Sequence, residues 1–344
     1  MTLSLHEKII RRIFAALALA FTTAGAARAG ELTLPGTLLL VANKSDQTLG
    51  LIDPVAGKQV AAISEDGITG HEVIASVDGK RAFVPIYGNA GVGRLGTDGS
   101  IIRVIDLEKQ TIEATIDLGK GLRPHCPRIG PKNGLLYVTT ELSESVTVID
   151  PTTLKIRGTI PTGQKESHML VITRDGRRGY TANVAPGTVS VLDLENEKLL
   201  TVIPVAPHTQ RISLSVDDKL AFTTDQTEPR VAVIDTAANK VSSWVKLPGI
   251  GFSTAVTPDG HSLLVTLPST NTFVVIDLQK MEVVHTLTLP RAPQEILVSP
   301  SGDLAYVSCD ITRQVAVIDL KKWTVSQLID AGPGADGLAW AVRR

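Results

Sequence analysis

An apolar pair followed by aspartate occurs seven times along the chain. The copies are Leu51-Ile52-Asp53, Val104-Ile105-Asp106, Val148-Ile149-Asp150, Val191-Leu192-Asp193, Val233-Ile234-Asp235, Val275-Ile276-Asp277 and Val317-Ile318-Asp319. Successive aspartates are separated by 53, 44, 43, 42, 42 and 42 residues. A repeat of this length is one supersecondary unit that cannot bury its apolar face alone, so the units must stack. Each unit carries a turn such as Asp78-Gly79, Asp175-Gly176, Asp259-Gly260 or Ser301-Gly302. A β-rich run follows it, as in Ala82-Phe83-Val84, Leu136-Tyr137-Val138 and Ala305-Tyr306-Val307.

The last complete unit reads as four short strands: 294–299, 304–309, 314–319 and 325–329. Alternating apolar residues between Gly, Pro, Asp and Asn punctuation favour strands over a helix-pair solenoid. Four strands per unit of about 42 residues, seven times over, is the arithmetic of an all-β seven-bladed β-propeller with four antiparallel strands per blade. The ring should close by pairing the C-terminal strand, Gly337 to Val342, with the N-terminal three strands between Leu38 and Ile63. That pairing removes exposed sheet edges. The seven aspartates should each end the third strand of a blade and accept backbone N–H bonds in the following turn.

Residues 1–29 read as a signal peptide. Lys8, Arg11 and Arg12 precede the apolar stretch Ile13 to Ala24, and Ala27-Arg28-Ala29 offers a small-x-small cleavage site. Cleavage after Ala29 would leave residues 30–344 as a single propeller domain, periplasmic or secreted, and a monomer. The apolar stretch is too short for a membrane span and none follows it, so no membrane span is expected after cleavage. Net charge is −1 and aromatics are 4% of 344 residues, with no basic run, so no nucleic acid partner is expected. Cys126 and Cys309 fall in nearly opposite blades and should be free thiols.

Tyr137-Val138-Thr139-Thr140, Ala305-Tyr306-Val307-Ser308 and the recurrent Val-Ile-Asp resemble the YVTN family of β-propeller repeats. Over residues 30–344 the chain is similar to YncE-like secreted seven-bladed propellers. Relatives in that family include binding proteins, lactonase-like enzymes and cofactor-associated propellers, so the resemblance implies a fold more sharply than an activity.

A sevenfold repeat supplies its own control: a residue type found in every blade serves the blade, and one that breaks the symmetry needs another reason. The register just before each innermost strand holds His71, His125, His168, Gln210, Phe252, Gln294 and Asp336, with His208 two places before Gln210. Three imidazoles in adjacent blades far exceed what the six histidines of residues 30–344 would place there by chance. The next register holds Glu72, Cys126, Met169, Arg211, Ser253, Glu295 and Gly337. The innermost strand borders the central channel, so its mouth should gather these groups. His71, His125 and His168 are candidate ligands for a divalent metal (Zn, Cu or Fe). Glu72 and Glu295 are candidate ligands or bases, and Arg211 is a candidate anchor for an acidic substrate.

The longer first spacing places about eleven extra residues in blade 2, between Pro85 and Ser100. Five glycines make the segment mobile or sharply turned, and its position on the histidine face suits either a channel lid beside His71 or a passive surface insertion. Tyr87 and Arg94 are its side chains able to stack on or pair with a ligand. The first reading is therefore a scaffold that binds a small molecule or an envelope protein at a histidine-rich mouth. It would use His71, His125, His168, His208, Tyr87, Arg94, Gln210, Gln294 and Asp336. A metal-dependent lactonase or lyase using the same histidines is the alternative. A third is an accessory to a periplasmic quinone or haem system, although no C-x-x-C-H haem-attachment motif is present.

Overall fold

The computed structural model describes residues 36–343; the segment 1–29 lies outside the described residues. Seven four-stranded antiparallel sheets follow one another along the chain. Six are built from consecutive strands, and blade 1 takes its innermost strand, Ala335–Val342, from the other end of the sequence. That strand pairs with Thr37–Asn43 in the register Val41↔Leu338 and Leu39↔Trp340. The last complete blade consists of Pro293–Val298, Leu304–Cys309, Gln314–Asp319 and Thr324–Asp330, within a residue of the boundaries read from the sequence. Among the described residues the helical segments are two short 3-10 turns, Glu141–Ser143 and Pro268–Thr270. None is a helix long and apolar enough to cross a membrane.

The Val-Ile-Asp signature has two structural consequences, and both recur in all seven blades. Every signature aspartate accepts hydrogen bonds from the backbone N–H groups two and three residues ahead, at 2.8–3.2 Å. The carboxylate thereby fixes a tight turn whose fifth residue is left-handed, at Gly57, Gln110, Leu154, Glu197, Asn239, Met281 and Trp323. Residues as bulky as leucine and tryptophan adopt that strained region only where surrounding bonds over-determine it. Second, the ladder to the outermost strand slips by one residue at the signature in every blade. The slip is a β-bulge, which increases local twist and lets each sheet splay as a propeller blade must.

The apolar core lies between blades. Tyr137 and Val148 of blade 3 pack with Leu170, Tyr180 and Val191 of blade 4. Leu39, Val41 and Ile52 of blade 1 pack with Tyr306, Val315 and Val317 of blade 7 across the closure. Cys126 and Cys309 are free, buried thiols, and burial pushes them up to about 11 and about 12. They act as small packed residues, protonated at neutral pH.

Candidate functional site

Hydroxyls on the second strand of a blade set the position of the channel register in the next. The Thr139 hydroxyl accepts from Cys126 N at 2.9 Å and donates to the His168 carbonyl at 2.8 Å. Thr224 does the same for the Phe252 carbonyl at 3.1 Å, and Thr266 for that of Gln294 at 2.8 Å. The side chains at the mouth are therefore carried by backbone stitched across blade boundaries, a more rigid support than a free loop.

His71, His125, His168 and Tyr87 form one aromatic cluster. His125 and His168 overlap with ring centroids 3.7 Å apart and planes inclined by 31°. His71 meets the edge of His125 at 5.6 Å and packs against Tyr87 at 4.7 Å. Burial and the neighbouring imidazoles push His125 well below the ordinary histidine range, and burial with the Arg211 charge does the same to His168. Burial also lowers His71, to about 4. All three rings are neutral at physiological pH. The Nδ1 atoms of both His125 and His168 are buried without a hydrogen-bond partner. Buried polar atoms are nearly always satisfied, and one left unpaired costs about 1–3 kcal/mol.

Beside this cluster lies a charged layer. The Arg211 guanidinium meets Glu72 at 2.8 Å, Asp336 at 3.1 Å and Glu295 at 3.5 Å. Its carbon also sits 5.2 Å from the Phe252 ring centroid. Asp336 is shared with Lys44, at 3.2 Å, which in turn pairs with Asp310 at 3.1 Å. Burial raises the Glu72 carboxyl well above its ordinary value despite Arg211, whereas Lys44 and Arg211 outweigh burial at Asp336 and hold it low. Arg211 is thus paired with the protein's own carboxylates, while its Nε and Nη1 atoms have no hydrogen-bond partner. Gly337 lets the closing strand approach this layer: its N–H donates to the His71 carbonyl at 2.9 Å. A Cβ there would come within 2.6 Å of the Glu72 backbone.

The blade-2 insertion is an extended hairpin. Much of its extra length extends the hairpin, whose strands Arg81–Gly88 and Asp98–Asp106 enclose a tip of nine residues. Blade 3 clips that tip in place. Arg123 donates to Asp98 and to the Arg94 carbonyl, each at 2.6 Å, and to Glu141 at 3.3 Å. Glu141 also accepts from Gly93 N at 3.3 Å and from the Tyr87 hydroxyl. Tyr87 is fully buried at the end of a strand, and the Arg94 side chain is exposed. Glu141→Ala should release the tip, seen as faster tryptic cleavage after Arg94, together with a lower melting temperature because the buried Arg123 and Tyr87 lose their shared acceptor. Unchanged cleavage kinetics would show that the clip does not restrain the hairpin.

The remaining sequence candidates make local hydrogen bonds of their own. His208 is exposed and contributes its carbonyl to Gln226 N at 3.0 Å. Gln210 accepts from Arg211 N at 3.2 Å, and Gln294 donates to the Ala292 carbonyl at 3.2 Å. Arg123, Glu141, Lys44 and Asp310 carry no signal in the repeat. They lie outside the compared registers, and only the hairpin's fold and the ring's closure bring them to the site. Glu65 is another. Fully buried in the link from blade 1 to blade 2, it accepts from Gly70 N at 2.7 Å, and burial raises it to about 7.

No protein-family model and no curated protein matches the sequence. Solved structures do resemble the fold. The chain is similar to a hydrazine synthase chain of Kuenenia stuttgartiensis, with 17% identity and a TM-score of 0.71, over 86% of this chain and 98% of that one. It is also similar to a functionally unknown protein from Desulfotomaculum acetoxidans, with 13% identity and a TM-score of 0.73, over 88% and 98% of the two chains. At these identities the likeness is one of architecture, and it establishes the chain as a seven-bladed β-propeller.

Proposed function

We propose that the protein is a ligand-binding scaffold that receives its ligand at the histidine cluster under the clipped hairpin of blade 2. The observation that carries this reading is the pair of unpartnered, buried Nδ1 atoms of His125 and His168 on neighbouring blades. A ligand able to hydrogen-bond or coordinate both nitrogens would relieve that deficit, and the neutral rings are ready for it without a protonation cost. The Arg211 layer acts as a supporting brace in this reading. The resemblance to secreted propellers and the character of residues 1–29 support a periplasmic or secreted setting.

A metal-dependent hydrolase or lyase is the second reading, favoured by the same two nitrogens, because neutral imidazole is a ligand for zinc, copper or iron. Among the described residues no three His, Cys, Asp or Glu side chains converge as a ready-made metal-ligating group. The first test is native mass spectrometry of protein purified from its natural host, beside thermal melts with ZnCl2, CuCl2 and imidazole. A bound species, or a rise in melting temperature with a probe, is expected in the wild type and absent in His125→Phe. Occupancy of a ligand at 100 times its Kd adds about 2.7 kcal/mol of stability. A stoichiometric ion would favour the metal reading. No bound species and no response to any probe would overturn the site.

A further inference from the structure

The channel carries a second break in symmetry, deeper than the histidines. Three residues along the innermost strands, five blades present Ile74, Val171, Ala255, Leu297 and Ala339, and a sixth presents Ser213. The seventh, blade 3, presents Arg128. All seven positions border one cavity of about 420 Å³, whose wall also includes Met169, Ile212 and Trp340 and, from the charged layer, the ion-paired Arg211 and Glu295. A second space of about 480 Å³ shares Arg128, Val171 and Ser213 and reaches Pro131, Arg174 and Pro258 near the turns on the opposite face. The cavity is therefore approached from the end of the channel away from the histidines.

Arg128 has an unusual set of partners for an arginine in an apolar ring. Among the described residues its side chain makes one hydrogen bond, Nη1 to the adjacent Pro127 carbonyl at 2.9 Å, and no ion pair. Glu295 and Glu72 attract it through space. Both are in contact with Arg211 instead. A guanidinium keeps its charge in any protein environment and presents five donors, so most of this one's capacity is unused. The ring at its own level is mainly apolar, which disfavours a purely ionic occupant, and the volume suits a small organic molecule.

We propose that this cavity binds a medium-chain monocarboxylate, with its carboxylate on Arg128 and its apolar tail along the ring formed by Val171, Leu297, Met169 and Trp340. The Ser213 hydroxyl, which meets Thr254 at 2.9 Å, stands in the same ring as a further hydrogen-bonding group. Arg174 and Asp218 both stand near the entrance, so the charge that selects the carboxylate is that of Arg128 within. This site shares the Arg211–Glu295 layer with the histidine mouth as a wall, but it takes its ligand on Arg128 and does not rest on the histidine reading.

Trp340 is a built-in reporter, since it borders the cavity while its Nε1 is fixed to the Val298 carbonyl at 2.8 Å. Titration with octanoate should give a saturable change in tryptophan fluorescence and a matching calorimetric isotherm. Octanol and octylamine should bind at least tenfold more weakly, and inorganic phosphate should not compete. Arg128→Met fits the apolar ring and should keep the melting temperature while weakening octanoate at least tenfold. Arg128→Lys should retain part of the affinity. Trp340→Phe should remove the optical signal but not the heat. Absence of octanoate binding by calorimetry, equal affinity for octanol, or full affinity in a folded Arg128→Met would overturn the proposal. Competition by phosphate would overturn the apolar-tail assignment. If Arg128 only balances the neighbouring carboxylates, Arg128→Met should instead lose stability and octanoate should not bind the wild type.

Discussion

Deleting residues 337–344 is expected to abolish cooperative folding of the propeller. The lost segment supplies five paired positions of the innermost strand of blade 1, from Leu338↔Val41 to Val342↔Thr37. It also buries Leu338, Ala339 and Ala341, and it takes with it the Leu338 N–H that donates to Glu295 at 2.7 Å. Leu38, Leu39, Leu40 and Val41, all essentially inaccessible in the closed ring, would line an open edge. Each buried leucine side chain contributes about 1.5–3 kcal/mol and each net backbone hydrogen bond about 1 kcal/mol. The deficit is therefore comparable with the whole 5–15 kcal/mol margin of a folded domain. Calorimetry should show a broad, low-enthalpy transition in place of the wild-type peak, and a synthetic peptide spanning residues 335–344 should restore it. An unchanged melting temperature would mean that the other six blades hold the ring without this strand.

The sequence carried the ring because the ring is written seven times. Spacing of the Val-Ile-Asp copies gave blade number, strand count and the aspartate-capped turns, and all of these are present in the structure. The same comparison of registers drew out the three histidines, because a symmetry break is visible without coordinates. It could not reveal what depends on contacts between registers. Arg211 reads as a free cation in sequence, yet its neighbours Glu72, Glu295 and Asp336 come from three different blades. Tyr87 and Arg94 look equally available in a glycine-rich stretch. Pairing of Gly88 with Asp98 extends the ladder, buries the tyrosine and leaves the arginine side chain outside. Arg128 carried no flag because its register, one pleat further along, holds mostly apolar residues whose common role emerges only when all seven face one cavity.

Replacing Arg211 with methionine should produce the largest single-residue loss of stability in the molecule. The guanidinium side chain is 4% exposed and in contact with three carboxylates that are themselves 10% exposed or less. Removing one partner from a buried ionic group costs about 3–5 kcal/mol, because the remaining charges lose their compensation in a poorly solvated site. The melting temperature should fall by on the order of 10 °C at pH 7. The deficit should depend on pH in a definite direction. In the wild type, burial already lifts Glu72 above its ordinary value, while Lys44 and Arg211 hold Asp336 below its own. The Asp336 pairing is thus fully stabilising above the ordinary aspartate range and is lost as pH falls through the depressed value. Without Arg211 the carboxyls move upward, so the folded variant takes up protons more readily than its unfolded chain. A folded-state value raised in this way favours the native state at low pH and is a liability as pH rises. Stability curves of the two proteins should therefore converge toward pH 4 and separate toward pH 8. Adding Glu72→Gln to the variant removes the most deeply buried of the three charges and should recover part of the loss at pH 7, with little effect near pH 4. A deficit below about 1 kcal/mol, in the range of an exposed ion pair, would show that the layer is hydrated and that the brace beneath the histidines is not electrostatic.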